Sequence, residues 1–94
     1  MESIREFAEN VKNSCEKIDL MINNAGIMGV QTRTLTKEGF EYHLGVNHLG
    51  HFYLNQLLWD KIKKSTESRV IALASLAHRR TPNSAGMNFD DLNC

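Results

Sequence analysis

Apolar residues recur at three- and four-residue steps near the start of the chain: Ile4, Phe7, Ala8, Val11 and Cys15. That spacing lays them along one face of an amphipathic helix, with Glu2, Arg5, Glu9, Lys12, Asn13 and Glu16 on the other. Ser3 is the candidate N-cap, and the helix ends near Lys17. The pattern then changes. Ile18 to Ile22 reads as a short strand, with Asp19 at its partly exposed start. Residues 24–35 hold Gly26, Gly29 and several threonines and read as a loop. About twelve residues is long for a structureless connection, and such loops are usually functional or mobile. Thr36 opens the next helix as its N-cap. From there Phe40, Leu44, Val46, Leu49, Tyr53, Leu54, Leu57, Leu58 and Ile62 carry a helical period to about Lys64. Gly39, Gly45 and Gly50 fall within it, and glycine costs about 1 kcal/mol against Ala inside a helix. Either the helix breaks or small residues admit a close neighbour. The expectation is a break or kink around Gly45 to Asn47, with a second helix running on. After a polar turn at 65–68, Val70 to Ala74 is apolar on both faces, as a central parallel strand is. His78 to Gly86 reads as a loop, and Phe89 to Leu92 as one short helical turn.

The order is therefore helix, strand, long loop, helix, strand, loop, which is an α/β arrangement. Two apolar strands joined through a helix imply a parallel pair with a right-handed crossover. Ligands of parallel α/β sheets bind just beyond the carboxyl ends of the strands. Asn23-Asn24-Ala25-Gly26 follows the first strand and Ser75 follows the second, so both fall at one edge. The first group offers amides for hydrogen bonds and then no bulk. Asn and Gly also form ordinary turns for local reasons.

Composition narrows the classes. The 94 residues suffice for one small domain, and eleven basic side chains balance eleven acidic ones. No basic stripe points to nucleic acid and no acidic tail to disorder. No apolar run approaches a membrane span, and the first residues carry no signal-peptide pattern, so the chain reads as soluble and intracellular. Cys15 and Cys94 form no Cys-x-x-Cys pair and no disulfide framework. Cys15 is expected as a buried thiol on the helix face. The ending Asp90-Asp91-Leu92-Asn93-Cys94 has no closing element and looks cut.

Residue types of two other chemistries are present. His43, His48, His51 and His78 have no Glu, Asp or Cys completing a metal-ligand pattern, so no metal site is assigned. Ser75, His78 and Asp90 contain the residue types of a hydrolase triad, but the Gly-x-Ser-x-Gly elbow is absent around Ser75.

Three ordered motifs carry a resemblance. They are Asn23-Asn24-Ala25-Gly26 after a strand, Gly45-Val46-Asn47-His48-Leu49-Gly50-His51-Phe52 in the following helix, and Leu73-Ala74-Ser75-Leu76-Ala77-His78 after the next strand. Together they resemble the short-chain dehydrogenase/reductase family. Within it, Val46 to Phe52, Ser75 to His78 and Phe89-Asp90-Asp91-Leu92-Asn93 resemble the retinol dehydrogenase-like branch. The resemblance covers nearly the whole chain and implies a partial Rossmann-type fold. It also implies an oxidoreductase passing hydride between NAD or NADP and an alcohol or carbonyl, with retinol or another lipid alcohol as the substrate class of that branch. On this basis Asn23, Asn24, Ala25 and Gly26 are candidate cofactor-binding residues, Asn24 and the small residues after it lining ribose and adenine. Ser75 is a candidate catalytic residue that hydrogen-bonds the substrate oxygen. Asn47 is the second, a member of the catalytic tetrad that holds a water relaying protons to a lysine.

The departures define what is expected of this chain. The family's Thr-Gly-x-x-x-Gly-x-Gly phosphate turn is absent. So is its Tyr-x-x-x-Lys, because Tyr42 and Tyr53 are followed four residues on by Val46 and Leu57 and both precede Ser75. Residues 1–94 therefore read as a single incomplete cofactor-binding segment, the central part of such an enzyme, without activity alone. The alternative is a non-catalytic interaction module, dimerising through the helix at 36–64 with Trp59 on its surface, unless Trp59, Tyr53 and Leu57 cover the chain's own sheet. Any membrane anchor is expected upstream.

Overall fold

The computed structural model describes residues 1–80 and 86–93. Helix α1 spans Glu2–Ser14, strand β1 Leu20–Asn23, helix α2 Tyr42–Leu44, a π-helical segment Gly45–Leu49, helix α3 Gly50–Lys63, strand β2 Arg69–Ala72, and a 3-10 turn Leu76–Arg79. The strands pair in parallel, with Leu20, Met21, Ile22 and Asn23 opposite Arg69, Val70, Ile71 and Ala72. This is the partial α/β architecture read from the pattern.

The core lies where α1 crosses α3 and both meet β1. Ala8, Leu58 and Ile62 are buried there, with Val11, Ile18, Met21, Leu54 and Leu57 packed around them. Two main-chain bonds tie the layers. Ile18 N–H donates to Lys61 O at 3.0 Å, and Arg69 N–H donates to Asp19 O at 2.9 Å just ahead of the strand ladder. The sheet itself is poorly covered. Leu20, Ile22, Val70, Ile71 and Leu73 are 41–56% exposed. A compact monomer of 10.7 kDa exposes roughly 5,500 Å², whereas this chain exposes 7596 Å². The apolar strands thus lack the layers that bury a central parallel sheet.

Several element ends differ from the sequence reading. Ser3 lies inside α1, not at its cap; Met1 holds the cap position and its carbonyl accepts from Arg5 N–H at 3.0 Å. The helix stops at Ser14, short of Lys17, because Cys15 is extended at φ −141°. Cys15 is half-buried, its thiol donating to Val11 O at 3.3 Å, so it is not the buried helical thiol expected. Both strands are displaced by one or two residues and take in Asn23 and Arg69, since ladder pairing involves the main chain whatever the side chain.

Thr36 does not cap a helix. Residues 36–40 form a tight turn, with Thr36 N–H donating to Phe40 O at 2.7 Å and Gly39 N–H to Thr36 O at 3.0 Å. Gly39 sits at φ +89°, which ends any helix beginning at Thr36. An antiparallel bridge between Leu35 and Glu41 closes this turn. The helix begins after it, at Tyr42. The region expected as a loop from His78 contains the end of the 3-10 turn, and its residues 81–85 lie outside the described residues, as does Cys94. Phe89 to Leu92 forms turns rather than a helix. Asn88 accounts for this, its Oδ1 accepting from Asp90 N–H at 3.2 Å and its carbonyl from Asp91 N–H at 3.3 Å. Among the described residues no helix is long and apolar enough to cross a membrane.

Candidate functional site

Both strands finish at one edge. Asn23 ends β1 directly opposite Ala72, the end of β2. Leu73 N–H donates to Asn23 O at 3.1 Å, carrying the pairing one residue further. Asn24 therefore leaves the sheet beside the segment that leads to Ser75. Asn24, Ala25, Gly26 and Ser75 are exposed, and Asn23 is buried.

The kink expected near Gly45 is a π-helical turn. Gly50 N–H reaches back five residues to Gly45 O, so one extra residue is accommodated without breaking the helix. The helix does not break at Gly45, and the close-neighbour explanation holds for Gly45 and Gly50. A Cβ on Gly45 would lie 2.5 Å from Thr36 Cγ2, and one on Gly50 would lie 3.2 Å from Ile4 Cδ1. The small residues let the turn at 36–40 and helix α1 close on the widened helix.

Asn47 projects from that turn to the loop after β1. Its Oδ1 accepts from Ile27 N–H at 2.8 Å, and its Nδ2 donates to Ile27 O at 2.9 Å. The carboxamide pairs with the loop backbone as a neighbouring strand would. Gly26 must be small for this reason too, since a Cβ there would sit 3.3 Å from Asn47 Oδ1. His51 Nδ1 donates to the Asn47 carbonyl at 3.0 Å. Asn47 thus fixes the path of the chain past Asn24, Ala25 and Gly26, while Ala25 lines a cavity of about 560 Å³ shared with Ile4, Thr36, Val46 and Gly50.

Glu41 anchors the start of this helix. Its carboxylate accepts from His43 N–H at 3.0 Å and from Leu44 N–H at 2.9 Å. His43 Nδ1 also meets it at 2.8 Å. Burial pushes the Glu41 carboxyl up, but these donors together outweigh burial and bring it down to about 2.

Ser75 caps the 3-10 turn, its Oγ accepting from Ala77 N–H at 3.1 Å. That bond uses a lone pair and leaves the hydroxyl proton for donation to a ligand. His78 Nδ1 lies 2.5 Å from the Ser75 carbonyl oxygen, so the ring engages the backbone and not the hydroxyl. The Ser75–His78–Asp90 hydrolase arrangement is therefore not assembled by these contacts. Asn23, Asn24, Ala25, Gly26, Asn47 and Ser75 carry no charge. An edge of this composition offers uncharged hydrogen-bonding groups, with the serine hydroxyl as a candidate donor.

The sequence pointed to Asn47 but not to its partner, the Ile27 backbone. It also missed Glu41, and it named His51 without its bond to the Asn47 carbonyl. The signal available for Glu41 was a lone acid three residues before Leu44, easily passed over because Ser, Thr, Asp and Asn dominate helix caps.

Comparison with known proteins shows the family. The family described as short chain dehydrogenase matches residues 1–87. The chain belongs to that family. It is 50% identical over 93 residues to human retinol dehydrogenase 13, covering 99% of this chain and 27% of that protein. It is 49% identical over 76 residues to mouse retinol dehydrogenase 12, covering 81% of this chain and 24% of that protein. The crystal structure of an uncharacterized protein from Mycobacterium paratuberculosis superposes with a TM-score of 0.73 at 39% identity, over 98% of this chain and 30% of that one. The chain thus spans about a quarter of the length of these retinol dehydrogenases. Within the short-chain dehydrogenases it is retinol dehydrogenase-like.

Proposed function

We propose that these residues act as the central segment of an NAD(P)-dependent oxidoreductase interconverting an alcohol and a carbonyl, with retinol or a similar lipid alcohol as the substrate class. The observation that carries this reading is the parallel register that brings Asn23 and Ala72 level, with Asn47 clamped to Ile27 beside it. Asn24, Ala25 and Gly26 form a small, exposed ledge suited to the ribose side of a dinucleotide, and Asn23 supports it from the strand end. When bound, the nicotinamide supplies the hydride acceptor or donor. Ser75 hydrogen-bonds the substrate oxygen and steadies the charge that develops on it. Asn47 holds the crevice wall and, by family resemblance, a water in the proton path.

Residues 1–94 alone carry no dehydrogenase activity in this reading. The phosphate turn and the tyrosine–lysine pair are not in the sequence, and the uncovered sheet supports the need for further layers. Two assays test it. The isolated chain should show no cofactor-dependent oxidation of retinol, and turnover by it would overturn the claim of inactivity. Exchanged for the matching stretch of retinol dehydrogenase 13, the same residues should sustain turnover; an inactive but folded hybrid would count against the catalytic reading.

A second reading is an interaction module without catalysis. It is favoured by Phe52 and Trp59, which are 58% and 49% exposed on one face of α3 and bound a hollow with Asn55 and Gln56. Trp59 is half-exposed, whereas Leu57 packs against the buried cluster beside Met21. Capture of a full-length relative by the chain, lost on Trp59→Ala, would support dimerisation through this helix; equal capture by both would reject it.

A further inference from the structure

The chain after β2 returns over the start of the helix that carries Asn47, and apolar burial does little to hold it there. Met87, Phe89 and Leu92 are 64%, 78% and 45% exposed, so they withdraw little surface from water. Asn93, a polar residue, is half-buried at the end of this segment. The turn bonds made by Asn88 stay within the segment. Among the described residues, the hydrogen bonds from residues 87–93 to the rest of the chain all converge on Asn93. Its Oδ1 accepts from Glu41 N–H at 2.8 Å, and its Nδ2 donates to Gly39 O at 3.1 Å. Its carbonyl accepts from Arg33 Nε at 3.3 Å and Nη2 at 3.2 Å. The bridge between Leu35 and Glu41 is made by the amides of Thr36 and Tyr42, which leaves the Glu41 amide for Asn93.

We propose that Asn93 is a positioning residue that latches the chain after β2 onto the turn preceding the π-helical segment. A carboxamide has one accepting and one donating end. Those ends match the Glu41 amide and the Gly39 carbonyl on either side of Phe40, much as Asn47 matches both groups of Ile27. The two asparagines hold the loop after β1 at opposite ends, Asn47 at Ile27 and Asn93 at Arg33. Phe40, Leu44 and Leu49 on one side and Met87, Phe89 and Leu92 on the other bound a hollow of about 990 Å³, which Ala74 also lines. Release of the latch frees one wall of that hollow, beside the residue that precedes Ser75. The assignment does not depend on the dehydrogenase reading.

Native-state hydrogen exchange and nitrogen-15 relaxation of the full chain read the latch. Asn93→Leu should speed exchange of the Glu41 amide about fivefold, the loss of one hydrogen bond. It should also lower the heteronuclear NOE of residues 87–92, while the Leu58 and Ile62 amides keep their rates and so report an intact core. Asn93→Ala makes the same comparison if Asn93→Leu does not fold. Asn93→Asp keeps the acceptor for Glu41 N–H and loses only the donor to Gly39 O, so Glu41 should stay protected in it. A residue that acted by packing alone would not separate the aspartate variant from the leucine one. Exchange of Glu41 at the wild-type rate in a folded Asn93→Leu or Asn93→Ala chain overturns the proposal. So does unchanged relaxation over residues 87–92, or an aspartate variant that exchanges as fast as the leucine one.

Discussion

Replacing Asn47 by leucine tests how the crevice wall is held. The substitution keeps the number and branching of the side-chain heavy atoms but removes both bonds to Ile27, at 2.8 and 2.9 Å. A hydrogen bond of this kind contributes about 1 kcal/mol net, so the loop loses about 2 kcal/mol of local attachment. At 1.36 kcal/mol per factor of ten, the Ile27 amide should exchange with solvent about 30-fold faster. Native-state hydrogen exchange read by NMR measures this directly, with Leu58 in the buried part of α3 as an internal control that should not change. Asn47→Asp retains the acceptor for Ile27 N–H and loses the donor to Ile27 O, so its effect should be intermediate. If Ile27 exchanges at the wild-type rate in Asn47→Leu, the carboxamide does not hold the loop and the argument fails.

Three further outcomes follow from the same structure. The Glu41 carboxyl is held down at about 2 against a usual 4.5, so its stabilising contribution is complete above 4.5. It is lost as pH falls through that interval to about 2. Glu41→Gln should remove this acid-sensitive component from a circular dichroism titration and cost about 1 kcal/mol as a weakened cap; an identical acid profile in the variant would refute the assignment. Leu58→Ala empties a fully buried position and should cost about 2–5 kcal/mol, enough to unfold so small a core, whereas an unchanged melt would place the core elsewhere. The exposed apolar strands should drive concentration-dependent association in analytical ultracentrifugation, against which a sharply melting monomer would argue.

The parts of the fold legible in the sequence were those set by periodicity. The stripe from Ile4 to Val11 specified a helix, because a helix face follows the 3.6-residue repeat, and the continuous apolar runs around Ile22 and Val70 marked the two strands. The three glycines at 39, 45 and 50 marked a real irregularity, yet composition could not distinguish a break from a π turn. That choice depends on Thr36 and Ile4 approaching from other parts of the chain. Helix starts were misread where local capping rules met long-range geometry. Thr36 has the chemistry of a cap, but Gly39 turns the chain left-handed and the bridge from Leu35 to Glu41 postpones the helix. At the site, the motifs identified Asn47 and the ledge at Asn24 to Gly26. They could not identify the Ile27 backbone as the partner of Asn47 across twenty residues, since any main-chain amide can fill that role. Nor could they separate the two reasons for a small residue at Gly26, of which contact with the Asn47 carboxamide is visible in the structure.

The most direct test of the account is the turnover number of a hybrid retinol dehydrogenase 13 carrying these residues, with and without Ser75→Ala. Loss of a hydroxyl donor aimed at a developing negative charge costs about 10²–10³-fold in rate. The account predicts a fall of that size with the nicotinamide cofactor still bound and the protein folded. A Ser75→Ala hybrid that turns over at the parental rate would contradict it.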